Sequence, residues 1–62
     1  MNSREILKKL QADGWFVERQ RGSHVHLRHP TKPGTVTVVH PRRDTPTGTI
    51  KAIERQSGVK LR

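Results

Sequence analysis

His24 and His26 stand two residues apart in the segment Ser23–His29. If that segment is a strand, both rings lie on one face of it. Imidazole titrates near neutral pH, so either ring can take or give a proton. The surroundings are basic. Arg19, Arg21, Arg28, Lys32, Arg42 and Arg43 fall between positions 19 and 43, a stretch with no Asp or Glu that also holds all four histidines. A solvated surface normally mixes both signs, so an all-basic middle reads as an electrostatic footprint for phosphates. These groups suit cleavage of RNA through its own 2′-OH. That reaction needs one proton removed, one added to the leaving 5′-oxygen, and positive charge beside the phosphorus. Histidine can perform either transfer, and Arg or Lys supplies the charge.

Other readings of the same residues stand beside this one. The two histidines could chelate a metal, but no carboxylate lies nearby in sequence, there is no Cys, and His29 has the wrong parity to join them. Two exposed polar residues on an open sheet face would look the same, and a basic surface can serve solubility alone. Phe16 shares the face of His24 and could stack a base, or it could be half-buried or covered by a protein partner. Lys51 and Arg55, four apart on a second helix, can track a phosphate backbone, or Lys51 can pair with Glu54.

Composition narrows the field. The chain has 62 residues, which allows one domain, residues 1–62, and no second core. Thirteen Lys+Arg against five Asp+Glu give a formal charge of +8, which favours a polyanion partner. With no Cys there is no disulfide framework and no thiolate chemistry, which suits a reducing cytoplasm. Only 29% of residues are hydrophobic, with no long apolar run, so neither a membrane span nor a signal peptide is expected.

The elements that must position these residues can be read from local signals. Asn2 or Ser3 can cap a first helix, with Glu5 at capping-box spacing from Asn2. Ile6, Leu7 and Leu10 form its apolar face, Glu5 and Lys9 an i,i+4 pair, and Asp13-Gly14 its stop. Trp15–Gln20 alternates, which places Trp15 and Val17 inward and Phe16 and Glu18 outward. Arg21-Gly22 is a turn. In Ser23–His29, Val25 and Leu27 face the core, while His24, His26 and Arg28 face away. Pro30–Gly34 is a hairpin loop, and Thr35–His40 a third strand with Val36 and Val38 inward. His40 shares their parity, so it is partly buried or at a frayed end. After the basic loop Pro41–Asp44, Thr45-Pro46 has the form of an N-cap followed by Pro at the first helical position. Ile50 and Ile53 are the buried positions of this helix, Ala52 its margin, and Gly58 its end, after which Val59 and Leu61 fold back. The order is α-β-β-β-α. An α+β fold results, a three-stranded antiparallel sheet with both helices on its one apolar face.

Several short motifs occur in one order along nearly the whole chain: Asp13-Gly14-Trp15 after the first helix, Gly22-Ser23-His24, Arg28-His29-Pro30, Val36-Thr37-Val38, His40-Pro41, and Gly48-Thr49-Ile50 opening a helix that ends at Gly58. In this it resembles the HicA toxins, small mRNA interferases of bacterial toxin–antitoxin pairs. Val39 departs from the pattern, standing where relatives often carry Pro before the His-Pro pair. The resemblance implies a double-stranded-RNA-binding-domain-like fold, translation-independent endonuclease activity on mRNA, and a HicB antitoxin partner that covers the active surface. It puts the single catalytic histidine at His24, with Gly22 making the tight turn and Ser23 supporting it. His26 is not a fixed position of the family. RNA would be held by Arg19, Arg21, Gly22, Ser23, His26, Arg28, Lys32, Arg42, Arg43, Lys51 and Arg55. No metal or other cofactor is expected. A non-catalytic RNA-binding module of the same fold, or an adaptor whose basic face binds an acidic protein, are the competing expectations.

Overall fold

The computed structural model describes residues 1–62. Asn2 is the cap of helix α1 (Ser3–Asp13), its side-chain oxygen accepting the Glu5 amide at 2.9 Å. Ile6 and Leu10 are buried and Leu7 is half-buried, while Glu5 and Lys9 do not close into an ion pair. Gly14 ends the helix at φ 112, its N–H donating to the Gln11 carbonyl at 3.0 Å. Strands β1 (Phe16–Arg21), β2 (His24–Arg28) and β3 (Val36–Val39) form an antiparallel sheet in the order β1-β2-β3. Only Gly22 and Ser23 join β1 to β2. Gly22 has φ 58 and no non-glycine residue has positive φ, the pattern of a type II′ hairpin turn. Helix α2 (Thr47–Ser57) buries Ile50 and Ile53 and stops at Gly58. Leu61 then folds back, its amide donating to Glu54 Oε2 at 2.8 Å.

The core contains Ile6, Leu10, Trp15, Val25, Leu27, Val36, Val38, Ile50, Ile53 and Leu61. Both helices therefore lie on one face of the sheet, and the other face is open. This is the expected α-β-β-β-α architecture. No helix is long and apolar enough to cross a membrane.

Three local expectations are corrected. Trp15 precedes the first strand instead of opening it. It is 1% exposed, and its indole N–H donates to the Ser57 carbonyl at 3.3 Å. Val17, expected inward, is 44% exposed. It pairs with core-facing Leu27, but β1 is an edge strand and the helices pack over β3, so Val17 lies beyond their cover. Thr45 does not cap α2. Pro46 occupies that position with an extended backbone, φ −57 and ψ 146, and its carbonyl accepts the first helical bond from Ile50. Thr45 is instead buried, and its amide donates to the Met1 carbonyl at 2.9 Å.

The strand register carries a functional consequence. A bulge lies between Val17 and Arg19, so Glu18 has no partner on β2. Strict alternation from Phe16 would send Arg19 and Arg21 to the side of Val17. The extra residue reverses that parity. Arg19 pairs with His26 and Arg21 with His24, so both arginines join the face of the two histidines.

Candidate functional site

The four histidines are in different situations. His29 donates from Nε2 to the Asp13 carbonyl at 2.9 Å, and its Nδ1 accepts the Thr31 and Lys32 amides, each at 3.1 Å. Its ring meets Trp15 edge-on at 5.2 Å. It is a structural brace between the end of α1 and the β2–β3 loop. His26 is half-buried, with Nδ1 3.0 Å from Thr37 Oγ1 on the neighbouring strand. His40 is half-buried on the helix side, its Nδ1 2.7 Å from the hydroxyl of Ser3. His24 is exposed and has no side-chain hydrogen bond within the chain. It begins β2 directly after the Gly22-Ser23 turn, flanked by Arg21 on one side and Val39 on the other. Of the four rings, it alone has neither nitrogen engaged within the chain.

The turn that carries His24 is held from below. The Ser23 carbonyl accepts the His40 amide at 2.7 Å, which ties the turn to the end of β3. Gly22 supplies the positive φ that a side-chain-bearing residue adopts at a cost. His24 thus stands on a rigid hairpin end, with its ring in solvent.

The basic residues divide into three groups. Arg19, Arg21 and Arg28 share the open face with His24, His26 and Phe16; Arg28 reaches Glu18 at 3.9 Å, a pair too exposed to hold the arginine firmly. Lys32 is at the other end of the sheet. Its ammonium donates to Asp13 Oδ2 at 2.6 Å and to the Ser57 carbonyl at 3.1 Å, closing the ends of α1 and α2 together. The hydrogen bond from Lys32 holds the Asp13 carboxyl below its ordinary value of 3.8. Arg42 and Arg43 turn away from the open face and line a groove against the start of α1. Lys51 and Arg55 are exposed on α2, in the helix layer. The structure therefore sets Arg19, Arg21 and His26 near His24, leaves Arg28 on the same face at the far end of β2, and does not bring Lys32, Lys51 or Arg55 there. No three His, Asp or Glu side chains converge anywhere in the chain.

Ser3 and His40 were not among the sequence-based site residues. Ser3 looked like an alternative helix cap, and the parity of His40 was the one signal of its burial. Their contact spans 37 positions, which local periodicity cannot reveal.

An α-β-β-β-α module with one exposed, basic sheet face and a free histidine beside a Gly-Ser turn is the class of protein defined here. The family model described as the HicA toxin of bacterial toxin–antitoxin systems matches residues 3–59. A solved structure of a HicA3 and HicB3 toxin–antitoxin complex is also similar. It is 32% identical with a TM-score of 0.87, covering 100% of this chain and 100% of the matched one. Comparison with curated protein sequences gives no match. The chain belongs to the HicA toxin family of toxin–antitoxin systems.

Proposed function

We propose that this chain is a metal-independent endoribonuclease that cleaves mRNA with His24 as its catalytic residue. The observation that carries the reading is the contrast among the histidines: three are engaged by the fold, and His24 is exposed and unengaged at a braced turn. In the reaction the 2′-oxygen bonds to phosphorus, the bond from phosphorus to the 5′-oxygen breaks, and a proton ends on that 5′-oxygen. His24 moves one of the protons, as base or acid. Arg21 and Arg19, set beside it by the bulge, stabilise charge on the phosphorus oxygens. Phe16, 48% exposed on the same face, offers a ring for a base to stack on. A HicB-type antitoxin is the partner, covering this face and placing acidic and apolar groups where RNA would bind.

The test is incubation of end-labelled RNA with the purified protein in EDTA. Wild type produces fragments and His24→Ala produces none. The His24 ring is exposed, so its loss changes stability by no more than about 0.5 kcal/mol. Cleavage retained by folded His24→Ala refutes the catalytic assignment. RNA that is bound but left intact by wild type favours the non-catalytic binding module.

A further inference from the structure

A second basic site lies on the other side of the same sheet end. An open groove of about 440 Å³ runs between the start of α1 and the loop after β3, where the chain turns through a cis His40–Pro41 peptide. Arg4, His40, Arg42 and Arg43 line it, and Pro41 is its one apolar side chain. None of the three arginines is paired with a carboxylate: Asp44, next to Arg43, lies 3.5 Å from the amino group of Met1, and Glu5, next to Arg4, forms no ion pair.

Beneath the groove is a buried polar joint. Ser3 is 2% exposed. Its amide donates to the Arg42 carbonyl at 2.9 Å, and its Oγ accepts the Arg42 amide at 2.8 Å. The same Oγ lies 2.7 Å from His40 Nδ1. That contact occupies Nδ1 and leaves Nε2 as the ring nitrogen with no partner in the chain. The joint therefore holds the ring at the groove and ties the backbone of Arg42 to α1. Unpaired guanidinium groups beside a held imidazole suit a phosphate, which Arg binds with two parallel N–H bonds.

We infer that the groove holds a backbone phosphate of the RNA, distinct from the one at His24, with Arg4, Arg42 and Arg43 as its donors and the His40 ring beside it. This rests on the RNA-cleaving reading above. The two sites share a scaffold, because the His40 amide is bonded to the carbonyl of Ser23, the residue before His24. A strand crossing this end of the sheet meets His24 on the open side and the groove on the helix side. The volume is in the range of sites that take a small ligand, so it admits a sugar together with its phosphate. An acidic protein segment suits it less well, since a protein interface needs an apolar centre and Pro41 is the one apolar side chain in this lining.

The experiment uses Arg4→Gln combined with Arg43→Gln, both exposed side chains whose loss leaves the Ser3–His40 joint in place. Binding of a short 2′-O-methyl RNA, which cannot be cleaved, is measured across a salt series. Losing one phosphate contact on a single strand should reduce the slope of log K against log[salt] by about 0.7. In nuclear magnetic resonance titrations the His40 ring and the Arg42 amide should shift with the RNA and, more weakly, with inorganic phosphate. His24→Ala should leave those shifts unchanged. An unaltered slope and affinity in the double variant overturns the inference, as does RNA binding with no shift at His40. Binding of inorganic phosphate but not RNA also overturns it, and so does a double variant that loses only antitoxin affinity. RNA held in the groove but never cleaved supports the groove and refutes the nuclease, so the two proposals fail separately.

Discussion

Gly14→Ala should be among the most damaging single-methyl additions to this fold. Gly14 holds φ 112, where an L side chain is strained, at a cost of about 1–3 kcal/mol. The added Cβ would also lie 2.8 Å from His29 Nε2 and 3.4 Å from its two neighbouring ring carbons. The ring cannot swing aside freely, because Nδ1 is held by two backbone amides and the ring edge rests on Trp15. It must withdraw, and the bond from Nε2 to the Asp13 carbonyl is lost, worth about 1 kcal/mol. The sum is about 2–4 kcal/mol. A chain of this length has roughly 3–9 kcal/mol of stability in all. Trp15, the only tryptophan, is buried and reports unfolding by fluorescence in urea. With a slope near 1 kcal/mol/M, the midpoint should fall by about 2–4 M. Repeating the substitution in a His29→Ala background separates the two costs. There the clash is absent, so Gly14→Ala should cost about 1 kcal/mol less than in wild type. Equal costs in both backgrounds would refute the clash, and a loss below about 0.5 kcal/mol in wild type would refute the backbone strain as well.

The Lys32 contact to Asp13 gives a pH dependence with a definite sign. The folded carboxyl is lowered, so its contribution is complete above 3.8 and is lost as pH falls through the still lower folded value. Urea midpoints of wild type and Asp13→Asn should therefore differ by a constant amount near neutrality and converge in acid below that window; a gap that widens in acid would contradict the assignment. Phe16→Ala should change stability little, since half of the ring is already in water, while lowering affinity for a HicB-type antitoxin by roughly 30-fold, the loss of an aromatic anchor worth about 2 kcal/mol. Calorimetry showing unchanged affinity would place the antitoxin elsewhere.

Much of the fold was legible because its signals are local. Asn2 and Gly14 bracket α1, Val25, Leu27, Val36 and Val38 alternate as buried strand residues do, and Gly22 marks the first hairpin, although the turn is Gly22-Ser23 and not the expected Arg21-Gly22, because Arg21 still pairs with His24. The failures were of a different kind. Val17 has the alternation of an inward residue, but whether a helix covers it depends on where α1 and α2 pack. The bulge at Glu18 leaves no local mark, and it decides which face Arg19 and Arg21 occupy. At the candidate site, His24 was marked by its motif. The roles of His29 and His40 were not visible, since each is set by a partner far away in the chain, Asp13 in one case and Ser3 in the other.

The same bulge also bears on how the chain behaves among its own copies. β1 is an edge strand, and its outer row of amides and carbonyls is a template on which another molecule could add a strand. A regular, flat edge carrying Phe16 and Val17 would invite such growth into aggregates. Glu18 interrupts the ladder and increases the local twist, and Glu18, Arg19 and Arg21 crowd the edge with charge. β3, the opposite edge, is only four residues long. The irregularity that turns two arginines toward His24 thus also breaks the regular edge on which another copy could add a strand.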